Sequence, residues 1–269
     1  MKVIVSIQQT FGYSLLLLLG VISASLHATE IIDLSKSEFK VYSQNGEDGV
    51  IQKIFQSIGT TSKYYVEFGG QDGVQCNTRY LREAGWQGLL MDGSYNIPKI
   101  NLYQEFITAA NINALFAKYH VPEEFDLLSI DIDFNDFYVW KAIEGYHPRV
   151  VVIEYNGAHL VDEDKVVIYD AYGKWDRTNY FGASLLALYN LGRFKGYSLV
   201  YANANGVNLF FIRDDILSAF ETSSGKFKHT NNVKAIYQPA QYGRGPNGGH
   251  PQDPKMRPYV SSMDLLYTK

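Results

Sequence analysis

The chain has 269 residues, a formal net charge of −4, and a composition that is 46% hydrophobic and 19% charged. That apolar content fills one sizeable core with room for a small appendage, and the mild negative balance, with no run of Lys or Arg, excludes the electrostatic footprint of a nucleic-acid binder. The single cysteine, Cys76, excludes an internal disulfide and a cysteine-based zinc site.

Residues 1–28 differ in kind from the rest. Lys2 leads into Tyr13-Ser-Leu-Leu-Leu-Leu-Leu-Gly-Val-Ile22, and the small residues Ser23, Ala24, Ser25 and Ala28 follow. A positive start, a short apolar run and a small-residue exit read as a secretory signal peptide; an uncleaved membrane anchor over residues 11–26 is the alternative. Lys2 before the run and Glu30 and Asp33 after it place the folded part outside the cytosol in either case: exported, or held at the membrane by that segment alone.

The α/β part is expected over residues 29–220. Ser43-Gln-Asn-Gly-Glu-Asp-Gly opens a helix with Val50, Ile51, Ile54, Phe55 and Ile58 on one face, closed by Gly59. Tyr64-Tyr-Val-Glu-Phe68 then reads as a strand that breaks into Gly69, Gly70 and Gly73 and turns into a helix from Asn77. Such a turn lets backbone approach a ligand and offers its N–H groups to it, as at nucleotide sites of α/β sheets. Gly88 to Asp92 is a second buried strand, Phe106 to Ala109 a third, Asp126 to Asp133 a fourth and Arg149 to Asn156 a fifth; helices start after Asn111 and at Phe137. Asn135 and Asp136 read as helix-starting residues, and Cys76 as a buried structural thiol.

Gly157 to Asn179 is a polar loop or lid, and Phe181 to Leu191 a helix. Tyr197 to Tyr201 and Val207 to Ile212 form an antiparallel hairpin marked by Asn205-Gly206. Residues 221–269 are rich in Gly and Pro and read as a poorly ordered extension or a substrate cover.

Unbroken apolar strands separated by helices indicate a parallel sheet covered on both faces, a Rossmann-like doubly wound α/β fold with a C-terminal antiparallel hairpin. Ligands bind such sheets beyond the carboxyl ends of the strands, where this sequence places Glu67, Asp92, Asn111, Asp131 with Asp133, and Glu154 with Asn156. Oxygen ligands from neighbouring strand ends suit Mg²⁺ or Ca²⁺, so Asp131, Asp133, Glu154 and Asn156 form a candidate metal set. The competing view is that these acids hydrogen-bond loop backbone, or that one of them is a metal-free base. His159 is either a general base or a solvated loop histidine.

At residue level the chain resembles the FkbM-type branch of the class I S-adenosylmethionine-dependent methyltransferases over roughly Ser43 to Ile212. Glu67-Phe-Gly-Gly-Gln-Asp-Gly73 is similar to the family's acid-x-Gly-Ala-x-x-Gly turn, and Gly85 to Asp92 to its second strand and terminal acid. Leu128-Ser-Ile-Asp-Ile-Asp133 stands where the family carries a Lys-x-Asp-x-Glu type sequence, with Ser129 in the lysine position and Asp133 for the glutamate. Gly93 follows Asp92 where the family has Glu-Pro.

The resemblance implies an S-adenosylmethionine site. Gly69, Gly70 and Gly73 would lie against the methionine part, Asp92 would bind the ribose hydroxyls, and Asn111 would lie near the adenine or cap its helix. Glu67 would fix the loop or meet the cofactor's ammonium, and Asp72 is a loop residue or a plain turn residue. The activity implied is O-methylation of a small-molecule or carbohydrate hydroxyl, with Asp131 and Asp133 catalytic and Mg²⁺ a possible companion. The other hypothesis is an exported, non-catalytic protein of the same fold that binds a glycan or protein partner, motivated by residues 1–28.

Overall fold

The computed structural model describes residues 30–267; the expected leader lies outside them. No helix among the described residues is long and apolar enough to cross a membrane. Seven strands build the central sheet: β1 (Tyr64–Phe68), β2 (Gln87–Asp92), β3 (Leu102–Gln104), β4 (Glu124–Ile130), β5 (His147–Glu154), β6 (Tyr197–Ala202) and β7 (Asn208–Arg213). Their order is β3-β2-β1-β4-β5-β7-β6. The first five are mutually parallel, and β7 inserts between β5 and β6, antiparallel to both. This is the Rossmann-like α/β fold with a terminal antiparallel hairpin that the sequence predicts.

Strand alternation sends side chains to two cores. Val66, Phe68, Val151 and Ile153 pack on one face beneath helices α3 (Ile112–Lys118), α4 (Asp136–Ala142) and α5 (Leu185–Phe194). Tyr65, Leu90, Val150 and Val152 face the other side, where α1 (Glu47–Ile58) and α6 (Asp214–Ser223) supply Ile51, Ile54 and Leu217. Both faces being buried is why these strands carry apolar residues on both sides instead of alternating with polar ones. The strand order reverses between β1 and β4, which opens a crevice above their carboxyl ends.

Two expectations are corrected. The third strand is Leu102–Gln104, not Phe106 to Ala109. Fully buried Leu102 pairs with Leu90, whereas Phe106 is left 43% exposed beyond the strand end. The Gly/Pro-rich tail is not a loose extension, and the boundary expected at 220/221 falls inside α6. Gly225–Phe227 pairs in parallel with Glu30–Ile32, and Tyr259–Val260 pairs antiparallel with Val166–Val167 in the long loop after β5. A last helix, Ser262–Tyr267, is tied to α5 through Asn190 Nδ2 and Ser262 Oγ (3.0 Å). Of the tail's apolar residues, Phe227, Ile236 and Leu266 pack into the two cores, and polar contacts fix much of the rest. Asp164 accepts from Ser261 Oγ (2.6 Å) and Ser262 N (3.1 Å), and Asp253 accepts from the backbone N–H (2.9 Å) and Nε (2.9 Å) of Arg257.

Candidate functional site

A cleft of about 500 Å³ lies above the carboxyl ends of β1, β2, β4 and β5. Its floor begins at the glycine turn. The Glu67 carboxylate accepts from Asn77 N (2.8 Å), Thr78 N (3.0 Å) and Thr78 Oγ1 (2.5 Å), so it ties β1 to the start of α2 (Arg79–Glu83). Of its two expected roles, fixing the loop is the one these bonds perform. Burial raises its pKa above the ordinary value. Gly69 has φ +70°, and a Cβ there would stand 1.5 Å from the carbonyl oxygen of Asp131. Only glycine lets the β1 turn lie against the β4 turn this closely. Gly70 lines the cleft; Gly73 does not, and its N–H closes the turn on Gly70 O (2.8 Å). Asp72 is a turn residue, accepting from Val74 N (3.0 Å). Cys76 is buried, which pushes its thiol pKa up and keeps it protonated.

Asp92 ends β2 in the cleft. One oxygen accepts from Gln71 N (3.0 Å) and the other from Ser94 N (2.8 Å). A carboxylate has about four acceptor positions, so Asp92 is held rigid with capacity left for a ligand's donors. Phe106 covers this end, with Cδ2 4.0 Å from the Cβ position of Gly93, and its ring stands 6.2 Å from that of Tyr172.

Beyond β4 and β5 the structure brings Asp131, Asp133 and Glu154 together, with one carboxylate oxygen of each within 4.8 Å of the others. Asp133 reaches this position with φ +66°, a left-handed conformation that Asp tolerates better than most residues. Burial first, and repulsion from the neighbouring acids second, push the carboxyls of Asp131 and Glu154 well above the usual carboxylate range. Asp133 is raised as well, by desolvation and then Asp92.

Asn156 does not join them, which corrects the expected metal set. It is fully buried, and its Nδ2 donates to Asn179 O (2.7 Å) and Phe181 O (3.1 Å) while its Oδ1 accepts from Ala158 N (3.2 Å). Asn111 also lies away from the cleft lining. Its Oδ1 accepts from Thr108 N (2.8 Å) and its Nδ2 donates to Phe106 O (2.8 Å), so it shapes the loop that carries Phe106. His159 is neither solvated nor in the cleft: it is 5% exposed, packed edge-on against Tyr259 at 4.8 Å. Asp136 starts α4 as expected, its Oδ1 accepting from Ile132 N (2.8 Å).

Two walls were not legible as site residues. The Ser43-Gln-Asn-Gly-Glu-Asp-Gly run does more than open α1. Asp48 Oδ2 gathers the N–H groups of Val41 (2.7 Å), Tyr42 (2.6 Å) and Ser43 (3.0 Å), which folds the preceding loop so that Gln44 and Asn45 line the cleft. Glu47 accepts from Asn45 N (2.7 Å) and from Asn208 Nδ2 (2.9 Å), joining this loop to β7. The opposite wall is Trp175 of the long loop and His250 of the tail, with ring centroids 4.4 Å apart. The density of polar residues in residues 43–48 was the available clue for the first wall. Nothing local marks His250.

Seven carboxylates line the cleft (Glu47, Glu67, Asp92, Glu105, Asp131, Asp133 and Glu154), and among the described residues no Lys or Arg does.

No protein-family model matches this chain, and no curated protein does. Similar solved structures include a SAM-dependent methyltransferase from Aquifex aeolicus, 9% identical, with a TM-score of 0.32, covering 60% of this chain and 88% of that one. Another is an O-methyltransferase family protein from Burkholderia thailandensis, 11% identical, TM-score 0.35, covering 62% of this chain and 57% of that one. A third is the pyocyanin biosynthetic protein PhzM, 12% identical, TM-score 0.32, covering 61% of this chain and 54% of that one. The chain thus spans little more than half the length of the last two.

Proposed function

We propose that this chain is an S-adenosylmethionine-dependent methyltransferase of the FkbM type, acting on a hydroxyl of a small molecule or sugar. The observation that carries the proposal is the pairing, in one cleft at the point of strand-order reversal, of the Gly69-Gly70 turn with the braced Asp92 carboxylate. In this reading the turn's backbone approaches the methionine part, Asp92 accepts from the two ribose hydroxyls, and Phe106, rather than Asn111, lies against the base.

The cofactor supplies an already activated methyl group, so the protein's task is chiefly alignment of the acceptor. The residues facing that side are Asp131 and Asp133, whose oxygens accept the hydroxyl's hydrogen, with Gln44, Asn45 and Asn208 on one wall and Trp175 on the other. A raised carboxyl pKa brings a base closer to its acceptor's acidity, which favours proton removal.

Calorimetric titration with S-adenosylhomocysteine tests the cofactor site. Micromolar affinity, about −8 kcal/mol, is expected, with its loss in Gly69→Val and Asp92→Ala. Unchanged affinity in both variants would sink the assignment. The second reading, an exported non-catalytic binder, draws on the leader-like residues 1–28. A well-folded chain that gives no heat with S-adenosylhomocysteine is the outcome that favours it.

A further inference from the structure

The charge of the cleft has one sign, and the protein compensates only part of it. Of the seven carboxylates, Glu105 is paired with Lys118 Nζ (2.5 Å), and Glu47, Glu67 and Asp92 accept the hydrogen bonds described above. Asp131, Asp133 and Glu154 have no such donor among the described residues; what surrounds them is burial and other acids. His250 on the wall brings no charge at neutral pH, because burial lowers its pKa.

Two further features bear on what arrives there. Asn135 is 4% exposed and lines the same cleft. Its Nδ2 is spent on Asp170 O (2.7 Å), which leaves Oδ1 buried and unpartnered, as is Glu154 Oε2. The cleft thus presents acceptors that only a ligand's donors can meet. Its other side is aromatic: Trp175 and His250 have ring centroids 4.4 Å apart, and Phe181 stands behind His250 at 5.7 Å. Carboxylates facing aromatic rings suit an organic cation, since the acids supply charge-assisted hydrogen bonds and the rings attract the cation through their quadrupole.

We infer that the methyl acceptor carries a protonated primary amine near its hydroxyl, with the ammonium held among Asp131, Asp133 and Glu154 and its carbon skeleton against Trp175 and His250. That ligand is an acceptor only on the methyltransferase reading; the charge selection does not depend on it. Three N–H donors diverging tetrahedrally, with N···O about 2.8 Å, reach acceptors about 4.6 Å apart. The carboxylate oxygens, within 4.8 Å of one another, accommodate that spread. The cofactor's single net positive charge cannot offset three carboxylates as well, and a neutral acceptor would leave them repelling one another. Asn135 Oδ1 remains for a further donor of the ligand, and spare lone pairs of Asp131 and Asp133 for the hydroxyl. Among carboxylates the amine keeps its proton and has no lone pair to attack with, so the methyl group goes to oxygen.

The test titrates the full chain, loaded with S-adenosylhomocysteine and kept in chelator, with matched pairs: glucosamine against glucose, and ethanolamine against ethylene glycol. Each amine should bind at least tenfold more tightly than its uncharged partner. Asp133→Asn and Glu154→Gln should cut that ratio severalfold while affinity for S-adenosylhomocysteine stays at the parent value. A merely structural loss would weaken both members of a pair and leave the ratio unmoved. Supplied with methyl-labelled S-adenosylmethionine, the chain should place the label on oxygen. Equal affinity within the pairs, no binding of either amine at millimolar concentration, a ratio unchanged in both variants, label on nitrogen, or selection abolished by millimolar Mg²⁺ would each overturn the inference. Amine selection in a chain that does not bind S-adenosylhomocysteine would leave the cation pocket standing and remove the methyltransferase. Binding of S-adenosylhomocysteine without amine selection would do the reverse.

Discussion

His159 shows what a single residue's environment does to its chemistry. Burial, and secondarily Lys165, hold its pKa down at about 4, so the folded protein keeps it neutral. An unfolded histidine titrates near 6.5. Between these values the unfolded chain therefore binds a proton that the folded chain refuses, and stability falls as pH drops. The slope is at most about 1.4 kcal/mol per pH unit. The raised carboxyls of Asp131 and Glu154 act in the opposite sense over the same window, so the test is a difference: from neutral pH down to about 4 we expect urea unfolding to show the parent chain losing stability relative to His159→Phe. A slope unchanged in the variant would assign the loss to other groups. The sequence alone could not reveal this, because the residues that bury His159 come from the tail. Gly69 and Asp92 were legible for the opposite reason. A glycine turn and a terminal acid are marked by the strand that carries them, and their roles follow from local backbone geometry. Asn156 and Asn111 looked equivalent to Asp92 in sequence. Their amides are consumed by loop carbonyls and N–H groups whose positions no local pattern encodes.

At the scale of elements, strand identity was readable wherever both faces are buried, since an unbroken apolar run needs no partner to be recognised. The short edge strand β3 was missed, because three residues with one buried side chain leave little pattern. Also unmarked in sequence is the joint at the other end of the sheet from the cleft. Asp126, fully buried on β4, accepts from Lys63 N (2.7 Å), Thr61 N (3.0 Å) and Arg149 Nη1 (2.9 Å). Arg149 of β5 also donates to Ile58 O (2.9 Å) and Gly59 O (2.8 Å), which closes the carboxyl end of α1. One ion pair thus clamps β4, β5, α1 and the entry to β1. Replacing Arg149 with Met leaves Asp126 buried without its counter-charge and should cost about 3–5 kcal/mol. Denaturant unfolding measures that loss. Affinity for S-adenosylhomocysteine should change little under native conditions, because the joint lies far from the cleft. A loss below about 1 kcal/mol would mean that Asp126 is satisfied by backbone donors alone.

For the whole molecule, the tail is the main departure from expectation. Its sequence lacks apolar periodicity, yet it contributes His250 to the cleft and closes over the long loop after β5. The bond from Asn179 N to Pro251 O (2.8 Å) and that from Asp253 N to Asn179 Oδ1 (2.9 Å) fasten it there. Asp253 is the organiser, its carboxyl held below the usual range chiefly by the Arg257 side chain. In Asp253→Ala we expect severalfold faster limited proteolysis within residues 243–257 under native conditions, with the sheet intact by circular dichroism. Cleavage at the parent rate would show that the loop contacts suffice without Asp253.

The pairing of Glu30–Ile32 with Gly225–Phe227 carries a consequence in time as well as in space. The Asp33–Lys228 ion pair beside it spans 195 residues. A ribosome adding about 5–20 residues per second needs roughly 10–40 s to cover that interval. Throughout it, Ile32 and Leu34, both buried in the finished molecule, have no strand to lie against. A segment made early is therefore among the last to find its place, and it remains available to chaperones, proteases or other early partners for most of the chain's synthesis.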